Sequence, residues 1–190
     1  MNLITLSTRC FDDIWIAVAS NSNDEIVRIG LSPNKAALLR RIMKRIPTNS
    51  EIKHSAHADA LEVLGRIVRG EETNLIPRMD LSSVTEFQKA TYTMLMRIPR
   101  GKVSTYSMIA DAVGCRGGSR AVGNSMATNP LPLVVPCHRV VLSSRKLGGF
   151  SIPGTGKREA LQLKRRILEN EGVEFEGERV AARCLSKPKT

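Results

Sequence analysis

The chain has 190 residues, of which 42% are hydrophobic, with a net charge of +11 at pH 7 and a sequence pI of about 10.0. This length suffices for one large or two small domains, and no run reaches the roughly 18 apolar residues of a membrane span. The positive charge favours a polyanionic partner, nucleic acid first, although it could also serve solubility alone. Residues 1–5 lack a basic segment ahead of an apolar one, so we expect no signal peptide and no membrane partner.

The first half of the chain predicts a small α/β domain, residues 1–80. Residues 14–18 and 26–31 are rich in Ile and Val and are joined by turn-forming residues, which predicts two strands. Ser32 and Pro33 predict the cap and first position of a helix with an apolar face. Its other face is basic, and we interpret it as solvated rather than as a binding patch; it carries Arg40, Arg41, Lys44 and Arg45. A second amphipathic helix is predicted at 58–68, before a polar connector at 71–82.

The second half predicts a mainly α-helical domain, residues 81–175, followed by a tail at 176–190. A capping box at 83–86 starts a helix that ends near Arg97. A short helix follows at 106–114, capped by Ser104 or Thr105, and another starts at Ser119 after a glycine-containing turn. Two short helices joined by such a turn are typical of a helix-turn-helix.

The second of these helices is lined with small residues, which cannot reach into a major groove to make bidentate base contacts. Such a helix could approach a DNA backbone or a narrow groove closely. Its small residues could equally serve tight packing of one helix on another. They are Ala121, Gly123, Ser125 and Ala127.

The cysteines are too scattered for a disulfide framework, and none lies in a CxxC or other metal-ligand spacing, which favours a reducing, cytoplasmic compartment. His54 and His57 lie near each other without a cysteine, so we interpret them as polar surface residues and predict no metal site. The four cysteines are Cys10, Cys115, Cys137 and Cys184.

Cys137 stands out because it follows an apolar run and a proline and precedes a histidine, in the pentapeptide 136–140 (PCHRV). A cysteine beside a histidine is a candidate thiolate nucleophile. A small buried hydrophobic residue is the alternative interpretation of the pair alone.

Together with their neighbours, these residues resemble the O6-alkylguanine-DNA alkyltransferases, also called methylated-DNA–protein-cysteine methyltransferases. The resemblance covers residues 83–172 and rests on Tyr106 and on the motifs 119–126 (SRAVGNSM), 129–132 (NPLP), 136–140 (PCHRV) and 148–151 (GGFS). It implies a ribonuclease-H-like sheet with helices, followed by a mainly α-helical domain with a winged-helix-like helix-turn-helix.

The resemblance implies direct reversal of DNA damage. The Cys137 thiolate would take the alkyl group from O6-alkylguanine, and from O4-alkylthymine, and the protein would be spent after one turnover, without cofactor or metal. His138 would act as a base through a water, Glu171 would orient it, and Asn129 would brace the turn. For Glu171 an exposed helix-end carboxylate, and for Asn129 an ordinary Asx turn, are the alternatives.

The resemblance also implies a monomer that binds double-stranded DNA from the minor groove and flips the target nucleotide out of the stack. It would act in the cytoplasm, on the nucleoid of a prokaryote or in the nucleus of a eukaryote. Arg120 would enter the stack, and Tyr106 would help to rotate the nucleotide. The remaining DNA and base contacts would involve Ala121, Ser125, Met126, Val140, Phe150, Ser151 and Lys157.

Ile152 and Pro153 follow Ser151 where many relatives carry glycine, so the pocket rim is expected to limit large alkyl groups. Three other functions compete with alkyl transfer. A lesion-binding protein without catalysis usually lacks the cysteine, a major-groove regulator would need longer side chains on its second helix, and a cysteine hydrolase would need an oxyanion loop.

Overall fold

The first half of the protein is built on a four-stranded mixed sheet. The computed structural model describes residues 2–54, 57–73 and 75–188. The strands are β1 (Asn2–Phe11), β2 (Ile14–Ser20), β3 (Ile26–Ser32) and β4 (Ser50–His54), in the order β3-β2-β1-β4. The first three strands pair antiparallel, and β4 pairs parallel with β1. The two predicted strands correspond to β2 and β3, whereas β1 and β4 were not predicted.

Helices cover both faces of this sheet because β2 is apolar on both sides. Ile14, Ile16 and Val18 point into one core cluster, whereas Ala17 and Ala19 point into another. Helix α1 (Lys35–Met43) packs on the alanine side and α2 (Ala58–Arg69) on the isoleucine side.

The start of α1 differs from its prediction. Its N-cap is Asn34, whose side chain accepts a hydrogen bond from Ala37 N at 2.9 Å. Ser32 instead donates its hydroxyl to the carbonyl oxygen of Pro153 in the second half, at 2.6 Å. A serine predicted as a local cap therefore joins the two halves of the molecule.

The second half is mainly helical, with α3 (Glu86–Met96), α4 (Tyr106–Ala112), α5 (Ser119–Ala127) and α6 (Lys157–Asn170). The capping box of α3 pairs Thr85 with Gln88 rather than starting at Ser83. Thr105 caps α4, as one of the two predicted alternatives, and α5 begins at Ser119 as predicted. Helices α4 and α5 contact each other across the turn at 113–118.

Residues that were expected to form a tail are packed against the second half. After β5 (Ser104–Thr105) and β6 (Val140–Val141), the strands β7 (Phe175–Glu176) and β8 (Arg179–Val180) make a hairpin. Val180 and Cys184 are buried in a cluster with Val103. The segment predicted as a C-terminal tail is therefore packed up to this cysteine, because apolar side chains hold it. Residues 189–190 of the predicted tail lie outside the described part of the chain.

The two halves share their largest core cluster. Phe11 and Leu61 of the first half belong to the same cluster as Leu163 and Ile167 of α6. The connector adds to the sheet, because Ile26 N donates to Arg78 O at 2.8 Å. Within the described residues, no helix is long and apolar enough to cross a membrane.

Candidate active site

A cavity of about 550 Å³ lies between the two halves, and Cys137 forms part of its wall. The second half supplies residues of α4, α5 and the loop at 149–157, and the first half supplies residues of β3 and α1. The reactive group is thus reached through a cavity that neither half encloses alone.

Cys137 begins a 3-10 helix, Cys137–Arg139, directly after Pro136. The loop before it is held by Asn129, whose Nδ2 donates to Val135 O at 3.0 Å and whose Oδ1 accepts from Leu131 N at 2.9 Å. Asn129 therefore forms the local Asx turn and also braces the approach to the cysteine, so its two interpretations are compatible.

Burial raises the pKa of the Cys137 thiol above its ordinary value. Three influences oppose burial and favour the thiolate: a hydrogen bond from the Asn129 side chain, the nearby positive charge of Lys164, and backbone N–H groups at the start of the 3-10 helix. Because burial prevails, the resting thiol is protonated at neutral pH, and a base is needed to generate the nucleophile.

His138, the residue after the cysteine, forms a buried pair with Glu171. Their exposed fractions are 1% and 3%, and His138 Nε2 lies 2.9 Å from Glu171 Oε1. Arg139 donates to both carboxylate oxygens, through Nε and Nη2, each at 2.8 Å. The alternative of an exposed helix-end carboxylate for Glu171 is therefore wrong.

Burial by itself would raise the pKa of Glu171, but His138 and Arg139 outweigh it and lower this pKa to about 2. The carboxylate is therefore ionised and can only accept hydrogen bonds. His138 must donate its Nε2–H to it, which leaves Nδ1 of the neutral imidazole as an acceptor. The network thus fixes the tautomer that a general base beside Cys137 requires.

Lys164 is a buried cation of the site that the sequence interpretation missed. Its Nζ donates to the carbonyl oxygens of Val140 and Leu147, both at 2.6 Å, and lies 6.0 Å from the ring centroid of Phe150. Burial lowers its pKa to about 8, partly opposed by the charge of Cys137. A signal existed, because this lysine occupies an apolar-stripe position of α6, four residues after Ala160.

Tyr106, the first residue of α4, and Phe150 are partly buried and line the cavity. Burial is the main cause that raises the pKa of the Tyr106 hydroxyl, and the negative charge of an ionised Cys137 raises it further. Its ring runs past two glycines: a Cβ on Gly123 would lie 3.8 Å from it, and one on Gly148 3.5 Å. A Cβ at Gly123 would thus make an ordinary van der Waals contact with the tyrosine ring.

Helix α5 divides the residues that were predicted to meet DNA. Arg120 and Ala121 are exposed near its N-terminus, and Met126 lines the cavity. Ser125, in contrast, is buried; its hydroxyl donates to Ala121 O and its carbonyl accepts from the Tyr92 hydroxyl at 2.8 Å. The Ser125 hydroxyl thus faces the core, because the helical repeat turns this residue inward, and its contact with DNA stays a prediction.

The loop after Phe150 carries the other predicted contacts. Ser151 and Lys157 are exposed residues that line the cavity. Val140 is fully buried, and its carbonyl oxygen accepts a hydrogen bond from the Lys164 ammonium group. Ile152 and Pro153 also line the cavity, as their rim position predicts.

The first half holds this loop from outside. Gly154 has φ +71°, and a Cβ placed on it would lie 2.5 Å from Cβ of Ala37 in α1. With the hydrogen bond from Ser32 to Pro153, this close contact fixes the rim of the cavity. These contacts leave no local signal in the amino-acid sequence, since they depend on how the halves pack.

The comparisons with known proteins agree with this site. The family model "6-O-methylguanine DNA methyltransferase, DNA binding domain" matches residues 86–173. A methylated-DNA–protein-cysteine methyltransferase of Mycolicibacterium paratuberculosis is 40% identical over 111 residues, which are 58% of this chain and 67% of the relative. A protein of the same name from Sulfurisphaera tokodaii is 33% identical over 125 residues, which are 66% of this chain and 74% of the relative.

Similarity in structure extends to both halves. The crystal structure of Mycobacterium tuberculosis OGT in complex with DNA matches with a TM-score of 0.70 at 27% identity, covering 88% of this chain and 92% of that chain. In sequence, however, the alignments with several other curated relatives span only 52% to 66% of the relative's length.

Proposed function

Because the chain belongs to the methylated-DNA–protein-cysteine methyltransferase family, we propose that it repairs DNA by moving the alkyl group of O6-alkylguanine onto Cys137 in one irreversible turnover. One observation carries the proposal: Cys137 lines a cavity, and the next residue in the chain, His138, forms a buried pair with Glu171. A cysteine that was only a core residue would need neither the cavity nor the pair.

The proposed step forms a bond between Sγ and the alkyl carbon and breaks the bond from that carbon to O6. The thiol proton passes through a water to Nδ1 of His138, and the electron pair of the broken bond stays with guanine. The Tyr106 hydroxyl donates a hydrogen bond to the leaving base. Guanine gains one proton from solvent and His138 returns the thiol proton to solvent, so that no net charge is left on either. The product thioether is not readily hydrolysed, so the protein ends alkylated.

For DNA recognition we propose that α4 and α5 form a helix-turn-helix that lies in the minor groove. Two features support this: α5 has small residues such as Ala121 on its exposed surface, and Arg120 projects there without a competing ion pair among the described residues. Arg120 takes the place of the flipped guanine in the stack, at a cost of about a few kcal/mol for unstacking. The same pocket accepts O4-alkylthymine.

We further propose that the sheet of the first half is ribonuclease-H-like and that the second half is winged-helix-like. Three antiparallel strands with a parallel fourth support the first part, and the contact of α4 with α5 supports the second. The protein acts as a monomer in the cytoplasm, at the nucleoid or nucleus where DNA lies.

The experiment is intact-protein mass spectrometry after incubation with a duplex that carries one O6-methylguanine, followed by peptide mapping. We expect a stoichiometric gain of one methyl group, roughly 14 Da, on Cys137 and no further turnover. The unmodified duplex is the control. Tight binding of the lesion with no mass gain would replace the proposal by a damage-recognition function.

A further inference from the structure

Three arginines of the first half face the active-site cavity. Arg28 lies on β3, Arg41 lies on α1, and Arg45 follows the end of that helix; all three contribute to the cavity wall that also includes Cys137. Arg41 and Arg45 are exposed, as the interpretation of a solvated face expects, and they also border the cavity.

These guanidinium groups lack carboxylate partners. Among the residues that the structure describes, none of the three takes part in a side-chain ion pair or hydrogen bond, although several acidic groups of the surface are paired with other arginines. Arg28 is also partly buried. Burial, and then repulsion from Arg45 and Arg41, lower its pKa, so the like charges lie close enough to destabilise one another.

An anion at the cavity mouth would relieve this repulsion. Guanidinium groups bind phosphate oxygens through paired N–H donors, and three converging arginines match a phosphodiester better than a carboxylate of this chain. A target base that reaches Cys137 enters the same cavity and stays joined to its sugar and phosphates, which must then lie at the rim.

We propose that Arg28, Arg41 and Arg45 form a second phosphate-binding site, which holds the backbone of the strand that carries the target nucleotide. This rests on the proposed function for the identity of that strand. The first half is then a part of the DNA-binding surface, opposite α5, and the strand is gripped on both sides of the cavity.

The test compares two double variants in the full-length protein. Arg41→Gln with Arg45→Gln removes two charges from the cavity wall, and both side chains are exposed, so the fold should tolerate the change. Arg40→Gln with Lys44→Gln removes the same charge from the same helix region, away from the cavity. Both are titrated against a duplex with one O6-methylguanine at several salt concentrations.

The logarithm of the binding constant falls with log salt, and each lost phosphate contact reduces the magnitude of this slope by about 0.9. We therefore expect the slope of the cavity variant to be smaller in magnitude by about 2, and its binding at low salt to be about tenfold weaker. The control variant should change the slope by much less than the roughly 0.9 that one lost contact causes. Equal slopes for the two variants would overturn the proposal, since the effect would then be general charge.

The rate of alkyl transfer separates this proposal from the proposed function. We expect the cavity variant to slow transfer from duplex DNA at least about threefold more than transfer from the free alkylated base, which has no phosphate. Equal slowing with both substrates would place the arginines at the base and refute a phosphate site. Absence of transfer in the unsubstituted protein would refute the proposed function alone, because the salt slopes would still test the phosphate site.

Discussion

Replacing Glu171 by glutamine tests whether the buried carboxylate is held ionised by its neighbours. The substitution keeps the size of the side chain but removes the charge that accepts from His138 and from both donors of Arg139. The Arg139 guanidinium would then lose its ion pair and keep only its bond to the carbonyl of Ile98. Because the pKa of Glu171 is lowered in the folded protein, we expect the substitution to reduce stability at neutral pH more than in acid.

The size of the effect follows from the difference between the ordinary glutamate pKa of 4.5 and the value of about 2 in the folded protein. A difference of about 2.5 pH units corresponds to roughly 3 kcal/mol of stability at neutral pH. Since the folded-state pKa of Glu171 is the lower one, this contribution is fully present above pH 4.5 and is lost as the pH falls from there through about 2.

The assay is urea unfolding of the parent protein and of Glu171→Gln, monitored by circular dichroism at pH values from 7 down to about 2.5. The free energy of unfolding of the parent should exceed that of the variant by roughly 3 kcal/mol at pH 7. This difference should decrease by more than half at the acidic end of the range. Glu169→Gln is the matched control, because Glu169 lies on the same helix but is exposed and pairs only with Arg165. A gap for Glu171→Gln that stays constant over this range would refute an ionised, charge-stabilised carboxylate.

Three further outcomes are expected. Cys137→Ala should bind a lesion duplex within about twofold of the parent by fluorescence anisotropy and show no methyl uptake by mass spectrometry, because the thiol supplies the bond and little of the DNA contact; retained uptake would contradict the mechanism. Arg120→Ala should slow transfer from duplex DNA at least about tenfold more than transfer from free base, measured by single-turnover kinetics, since only the duplex requires flipping; equal slowing would contradict the flipping role. Gly154→Ala should lower the free energy of unfolding, measured with urea, by at least about 2 kcal/mol, and Gly177→Ala by about 1 kcal/mol. Both residues have positive φ, but of the two only Gly154 would bring a Cβ close to a neighbour, Ala37, at 2.5 Å. Equal losses for the two variants would contradict the tight contact.

The secondary structure could be predicted where burial leaves a pattern in the sequence. Strand β2 carries an unbroken apolar run because both of its faces are covered, and α2 shows its stripe and ends at Gly70 with φ +74°. Strand β4 leaves no such pattern, since it is an edge strand with mostly exposed side chains that pairs through its backbone with β1. Its position depends on the partner strand and could not be deduced from its own residues.

The candidate site could be predicted in part because two of its residues are contiguous in the chain. Cys137 and His138 are adjacent, and Glu171 stands before a helix-ending glycine. Lys164 could have been found from its place in an apolar stripe, since a charge there must find buried acceptors. The burial of Ser125 shows the limit of motif reasoning, because a motif names residues without telling which face of the helix they occupy.

The arginines of the first half could not be assigned from sequence, because their meaning depends on a packing contact between the halves. Gly30 on β3 favours that geometry: a Cβ on it would lie 2.5 Å from Leu38 Cδ1, so a larger residue would have to displace the ends of side chains of α1. The close approach brings Arg41 and Arg45 of the helix region to the same cavity as Arg28 of the strand. In our proposal, a basic helix face becomes part of a binding site through the packing of this helix on the neighbouring strand. A larger residue at position 30 should therefore move the arginines away from the cavity while leaving the buried histidine–glutamate pair in place, since that pair is built wholly from the second half.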